Sequence, residues 1–203
     1  MKKLLSLILI ALTLFTLPLA LASCGEEEVE APEDTYVEIS VKDYGKIVVF
    51  IDGDAAPVTA TNFLKLVKDG FYDGLTFHRV VKDFVIQGGD PEGDGTGNSN
   101  KTIKGEFSEN GYNNPISHER GVISMARGKE YDSASCQFFI CNADARDSLD
   151  GKYAAFGHVV EGMDVVDEIT ESTAKYGDEN GTIRINSKKP VIEYIKVLEN
   201  YGE

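Results

Sequence analysis

The stretch "FHRVVKDFVIQGGDPEGDGTG", Phe77 to Gly97, sets a permanent cation, Arg79, and an amide, Gln87, among residues that otherwise read as the wall of a core. Familiar chemistries do not claim it. "DPEGDGTGNSNK" has the start of a calcium loop at Asp90, Glu92, Asp94 and Gly95, but its twelfth position is Lys101 where a bidentate Glu is needed. "GDGTGN" lacks the Gly-Lys-Ser/Thr ending of a phosphate loop and reads as a flexible surface loop. His78, His118 and His158 lie too far apart for metal-ligand spacing, and no Gly-x-Ser-x-Gly elbow is present. No metal, cofactor or nucleophile is therefore expected. Cys136 and Cys141 lie five apart in the strand-like "SCQFFIC", on opposite faces, so they read as two small buried side chains rather than a disulfide.

The elements that must hold these residues are mostly strands. "YVEISVKDYGKIVVFI" predicts a hairpin around "KDYG", with Val37, Ile39 and Val41 on one face. In "APVTATNFLKLVKDG", Ala60, Phe63, Leu64 and Val67 follow the period of a helix, with Pro57 at its first position and Gly70 past its end. The runs "LTFHRVV", "FVIQGG", "GVISMA", "CQFFIC" and "AAFGHVV" read as strands. "GMDVVDEIT" is a second short helix, with Met163, Val166 and Ile169 on one side. "PVIEYIKVLE" closes the chain as a strand that starts at Pro190, where a missing N–H is tolerated. Many short strands with two helices predict one mainly β domain, a closed or nearly closed sheet, with no internal repeat.

The first 35 residues read differently. Met1-Lys2-Lys3 is followed by an uncharged run from Leu4 to Ala22, the pattern of a secretory signal. Its length also admits a membrane-spanning helix, but Pro18 and the small residues at its end suit a cleavage site better. It ends in "LASC", which resembles the lipobox of bacterial lipoproteins, in which the cysteine, here Cys24, is lipidated. Residues 25–35, "GEEEVEAPEDT", carry six acids in eleven positions and read as a disordered tether. The expected division is a signal peptide over 1–23, a lipidated Cys24 and acidic tether over 24–35, and a folded domain over 36–203. Cleavage before Cys24 leaves eighteen basic against thirty-four acidic residues, a net charge of −16. Such a surface offers no basis for binding nucleic acid.

From Tyr36 to about Asn200 the chain resembles the cyclophilins, peptidyl-prolyl cis-trans isomerases, through "FHRVVKDFVIQGGD", "GVISMAR", "SCQFFICNAD" and "SLDGKYAAFGHVVEGMDVVDEI" in that order. The resemblance implies a closed eight-stranded antiparallel β-barrel capped by two α-helices, in a monomeric domain. It also implies a site. Arg79 would donate a hydrogen bond to the prolyl nitrogen. Phe84, Val85, Phe139 and Leu149 would form the proline pocket. Gln87 would hold the substrate backbone, and Ala126 and Gln137 would line the groove. Arg127 and Tyr153 stand at substrate-facing positions where the family often has asparagine and histidine. Val85 stands where methionine is common, and Ser148 where many eukaryotic members carry tryptophan. Shared strand parity lets Val85 and Gln87, and likewise Gln137 and Phe139, face one site. The implied partners are proline-containing polypeptides, and the implied location is a bacterial membrane outside the cytoplasm. The alternative is a non-catalytic module that holds proline-containing segments, which would not need Arg79. A solute-binding lipoprotein is excluded, because the chain lacks two α/β lobes.

Overall fold

The computed structural model describes residues 31–199 and 201. The leader and Cys24 lie outside the described residues. One antiparallel sheet holds eight strands in the order β3-β4-β6-β5-β7-β2-β1-β8. Strands β1 (Thr35–Val41) and β2 (Gly45–Ile51) form the hairpin expected around "KDYG". Tyr44 N–H closes the turn on Val41 O at 3.1 Å. The sheet continues with β3 (Thr76–Val81), β4 (Val85–Asp90), β5 (Val122–Met125), β6 (Phe138–Cys141), β7 (Ala154–Glu161) and β8 (Ile192–Leu198).

Among the described residues, three α-helices accompany the sheet. Helix α1 (Pro57–Lys68) begins with Pro57 where a missing N–H costs nothing. It ends in a Schellman pattern: Gly70 has φ +67°, Gly70 N–H reaches Val67 O and Phe71 N–H reaches Leu66 O, both at 3.0 Å. Its buried face is Ala60, Phe63, Leu64 and Val67, as the period requires, widened by Thr59 and Leu66. Helix α3 (Met163–Thr173) buries Val166 and Ile169, with Met163 packed at the margin. The single turn α2 (Arg146–Leu149) was not expected, since four residues show no period.

Curling of the sheet encloses the main core. Phe63 of α1 reaches across it to the rings of Tyr72, Phe138 and Phe156, at centroid distances of 5.3, 5.5 and 5.1 Å. Tyr72 keeps its buried hydroxyl satisfied by donating to Cys136 O at 3.0 Å. Outside, Glu38 accepts hydrogen bonds from Lys46 and Tyr194 and pairs with Lys196, its cross-strand neighbour on β8. The two cysteines are free and buried on opposite faces, Cys136 in the main core and Cys141 in a smaller cluster with Val85, Phe139 and Leu149.

The expectation of a closed barrel is corrected. The ladder ends at β3 and β8, which meet through one bridge, Thr76 to Val191. Phe77 N–H reaches Pro190 O at 2.9 Å and Ile192 N–H reaches Leu75 O at 2.8 Å there. Pro190 has no N–H to carry the pairing on, so β8 starts at Ile192 rather than at Pro190. Beyond the bridge a loop takes up the free edge of β3. Val80 N–H donates to Gly181 O at 2.9 Å, and Ile183 N–H to His78 O at 2.8 Å. The result is a curled half-barrel with its open edge covered by a loop.

Candidate active site

Sheet register assembles the site. Arg79 on β3 pairs across to Gln87 on β4, Gln87 to Phe139 on β6, and Phe139 to Ser124 on β5. Cross-strand partners share a face, so this row sets a cation, an amide and a ring side by side. The β3–β4 turn brings Phe84 up beside them, with Asp83 at φ +57°. A positive φ is also needed at Gly89 (φ +81°), at the far end of β4. A Cβ there would lie 2.8 Å from Cys136 O.

A pocket of about 260 Å³ opens over this row. Arg79, Phe84, Val85, Gln87, Ala126, Arg127, Phe139, Leu149 and Tyr153 line it. Gln137 lines a second cleft of about 260 Å³ that shares Gln87, Ala126 and Arg127 with the first. The ten residues expected at the site are therefore brought together. A larger cleft, of about 580 Å³, lies elsewhere and shares no residue with the pocket.

Three side chains form a directed chain of hydrogen bonds that ends on backbone carbonyls. Arg79 Nη1 donates to Gln87 Oε1 at 3.2 Å, and Gln87 Nε2 donates to Gln137 Oε1 at 2.9 Å. Gln137 Nε2 then donates to Gly97 O at 2.9 Å and Gly95 O at 3.2 Å. Arg79 Nε donates to Asn180 O at 2.7 Å. The guanidinium is thus fixed at two corners, while its Nη2 engages none of the described residues. Partial burial draws the Arg79 pKa down from its ordinary value, yet an arginine remains charged. The Phe84 ring lies 5.9 Å from its central carbon.

Three expectations change. The glycine-rich loop after β4 is not a loose surface loop. Asp90 turns inward and accepts from the backbone N–H groups of Glu92, Asp94 and Gly95, and the loop's carbonyls hold Gln137. Arg127 lines the pocket, and its guanidinium already has partners. It donates to Lys152 O at 2.9 Å and lies within about 5 Å of the rings of Phe107, Tyr131 and Tyr153. Gln87, expected to hold substrate, is committed on both sides to Arg79 and Gln137, with one N–H still free.

One group had no sequence signal as a site. His118 is buried and stacks on Phe139 with centroids 6.1 Å apart. Its Nδ1 lies 2.8 Å from Asp150 Oδ1, and its Nε2 lies 2.9 Å from Ser124 Oγ. Asp150, held ionised by hydrogen bonds from His118 that outweigh its own burial, can only accept. The ring must then carry its proton on Nδ1 and accept from the Ser124 hydroxyl at Nε2. Burial draws the His118 pKa below its usual value, against the pull of Asp150, and keeps this neutral form. The order Ser-His-Asp is that of a hydrolase triad, but Ser124 is fully buried and faces no substrate. These residues fix the Phe139 ring from behind, while Tyr153 meets it edge-on at 5.7 Å. Asp150 is distant from His118 in sequence and Ser124 lies on a strand six residues on, and neither periodicity nor motif linked the three.

The two cysteines offer no nucleophile. Burial pushes Cys136 up to about 11 and Cys141 up to about 12, so both are thiols. Among the described residues, no group of three or more His, Cys, Asp or Glu side chains converges to hold a metal ion. What remains is an apolar, ring-walled pocket with one oriented cationic donor at its edge.

Known proteins resemble this chain in sequence and in fold. Residues 36–193 match the family model described as cyclophilin type peptidyl-prolyl cis-trans isomerase/CLD. The chain is 44% identical over 124 residues to peptidyl-prolyl cis-trans isomerase B of Bacillus subtilis (strain 168), covering 61% of this chain and 82% of that protein. It is 40% identical over 147 residues to a peptidyl-prolyl cis-trans isomerase of Helicobacter pylori (strain ATCC 700392 / 26695), covering 71% and 86%. A crystal structure of a Cryptosporidium parvum cyclophilin type isomerase aligns with a TM-score of 0.70 at 26% identity, over 82% of this chain and 99% of that one. A second, solved in the presence of the dipeptide Ala-Pro, gives a TM-score of 0.69 at 27% identity, over 81% and 99%. The chain belongs to the cyclophilin type peptidyl-prolyl cis-trans isomerase family.

Proposed function

We propose that the chain accelerates cis–trans rotation about Xaa-Pro bonds of polypeptides, with Arg79 as the catalytic donor. The observation that carries this is the Arg79 guanidinium, fixed by Gln87 and Asn180 at the rim of an apolar pocket with Nη2 unengaged. Rotation needs no proton transfer and no nucleophile. It must break amide resonance, a barrier of about 18–20 kcal/mol. In the twisted state the nitrogen lone pair is localised and the amide is less charge-separated. A pocket of Phe84, Val85, Phe139 and Leu149 favours that state over the planar one, and a fixed donor aimed at nitrogen favours it further. Gln87 positions the arginine and offers its remaining N–H to the substrate backbone. Ala126 and Gln137 line the way in. The Ala-Pro dipeptide present with the Cryptosporidium parvum relative supports a proline-containing ligand for this pocket.

The test is exchange of an Xaa-Pro peptide, followed by NMR or a coupled assay with the purified protein. A rate no faster than the uncatalysed one, together with peptide binding at the pocket, would leave a holding module in place of an enzyme.

The proposal includes a location. The leader of residues 1–23, the lipobox ending at Cys24 and the acidic tether support a lipid-anchored protein acting outside the cytoplasmic membrane, on clients folding there.

A further inference from the structure

A cluster of four lysines without an ion-pair partner among the described residues lies away from the proline pocket. Lys42, Lys175, Lys188 and Lys189 rim the cleft of about 580 Å³ between the β1–β2 turn, the C-terminal end of α3 and the segment entering β8. In a chain whose acids outnumber its bases by 34 to 20, lysines readily find carboxylates. Lys46, Lys65, Lys82 and Lys196 all do. None of the four cleft lysines does so among the described residues. Lys175 and Lys188 lie over the Tyr176 ring, each 5.2 Å from its centroid. Lys189 donates only to neutral oxygens, Gly93 O at 2.6 Å and Asn186 Oδ1 at 2.8 Å. Lys42 makes no side-chain hydrogen bond or ion pair with the described residues. The acids in the cleft are Asp43 and Glu168, which leaves it net positive on a strongly acidic protein.

We infer that this cleft docks acidic segments of polypeptide. Its shape and chemistry select that occupant. The four lysines line a concavity, whereas a bilayer is flat and would meet the acidic remainder of the surface. A single small anion would engage a fraction of the rim. An extended chain places successive carboxylates along the lysines and its backbone and stems beside Tyr44. The inference rests on the proposed action on polypeptides and deepens it: substrates with an acidic stretch near the target proline gain a second foothold.

The test uses a fluorescein-labelled, glutamate-rich peptide without proline, titrated into the full chain in detergent and read by anisotropy. The wild type should bind, with affinity that falls as salt rises. Lys42→Gln combined with Lys188→Gln removes two ion pairs and should weaken binding roughly fivefold to tenfold. Isomerisation of a neutral Xaa-Pro peptide should be unchanged in that variant, and Arg79→Ala should bind the acidic peptide as the wild type does. No binding by the wild type overturns the inference, as does equal binding by the lysine variant. Displacement of the peptide by equimolar inorganic phosphate would make it a single-anion site. Lysine-dependent capture of phosphatidylglycerol vesicles without peptide binding would make it a membrane contact. Because the probe lacks proline, failure here is distinct from failure of the isomerase assay.

Discussion

At the scale of single residues, the site depends on one arginine held still. A guanidinium that searches many rotamers would meet the prolyl nitrogen only part of the time. Here Nε is spent on Asn180 O and Nη1 on Gln87 Oε1, which aims what is left. Arg79→Ala removes the donor from a half-buried position on a groove wall and should leave the fold intact. The turnover, kcat/KM for an Xaa-Pro peptide, should fall by on the order of 10²–10³, the loss typical of removing one preorganised donor. A folded Arg79→Ala protein with near-normal turnover would remove Arg79 from the mechanism. Arg79, Phe84 and Gln87 were legible because one motif ties them together over a short span, and Phe139 because it sits in a second motif of the same family. His118 was not. Its role comes from Asp150 and Ser124, which only the folded chain brings to it, and as an isolated histidine it carried no meaning beyond a failed metal set.

At the scale of elements, the loop that covers the edge of β3 is also the abutment of the arginine. Asp178 builds it, accepting the N–H groups of Asn180 and Thr182, both at 3.0 Å. Gly181 lets it approach: φ is +82°, and a Cβ would lie 2.5 Å from Val81 Cγ2 and 2.8 Å from Val80 O. Gly181→Ala must lift the loop off the strand and with it the Asn180 carbonyl. The expected effect is a fall in kcat on the order of tenfold, since the donor remains but is no longer fixed. In an Arg79→Lys background, which has no Nε–H, Gly181→Ala should add almost nothing, and full additivity in that cycle would mean the loop does not act through Arg79. This element was invisible in the sequence. "YGDENGTIRIN" has no period, and its pairing to β3 depends on backbone atoms alone. The strands and both long helices were legible because their periods are strong. The closed barrel was expected from the family resemblance, since the strand pattern left a closed or nearly closed sheet, whereas here Pro190 ends the pairing and the loop takes the edge.

At the scale of the whole molecule, two properties reach beyond the pocket. The first is attachment. If Cys24 carries the anchor, labelled fatty acid should enter the wild type and not Cys24→Ser, since diacylation supplies the two chains that stable anchoring needs. Equal labelling of both would refute the lipobox. The second is the response to acid. His78 and His118 are both buried, and burial lowers the pKa of each. For His78, Asp90 opposes this effect while Lys189 and Arg79 add to it. Above their usual pKa of about 6.5, both rings are neutral in the folded and unfolded chains alike, so stability is level there. As the pH falls below that value, the unfolded chain takes up protons that the folded one refuses. Stability must then drop, with a slope of at most about 2.7 kcal/mol per pH unit for two sites. The carboxylates follow later. Asp178 and Asp132, lowered chiefly by the backbone N–H groups of Asn180 and Gly105, add stability that disappears only below about pH 4. Urea midpoints at pH 7.5, 6.5, 5.5 and 4.5 should therefore change least between the first two and decline more steeply from 6.5 downward, before the carboxylates titrate. His78 makes no side-chain hydrogen bond through either ring nitrogen, so His78→Leu removes a buried polar group without orphaning a partner. That variant should lose about half of the decline between pH 6.5 and 5, because one of the two refused protons is gone. A wild type whose midpoint is flat over that interval, or a folded His78→Leu with an unchanged slope, would show that these imidazoles do not set the acid limit.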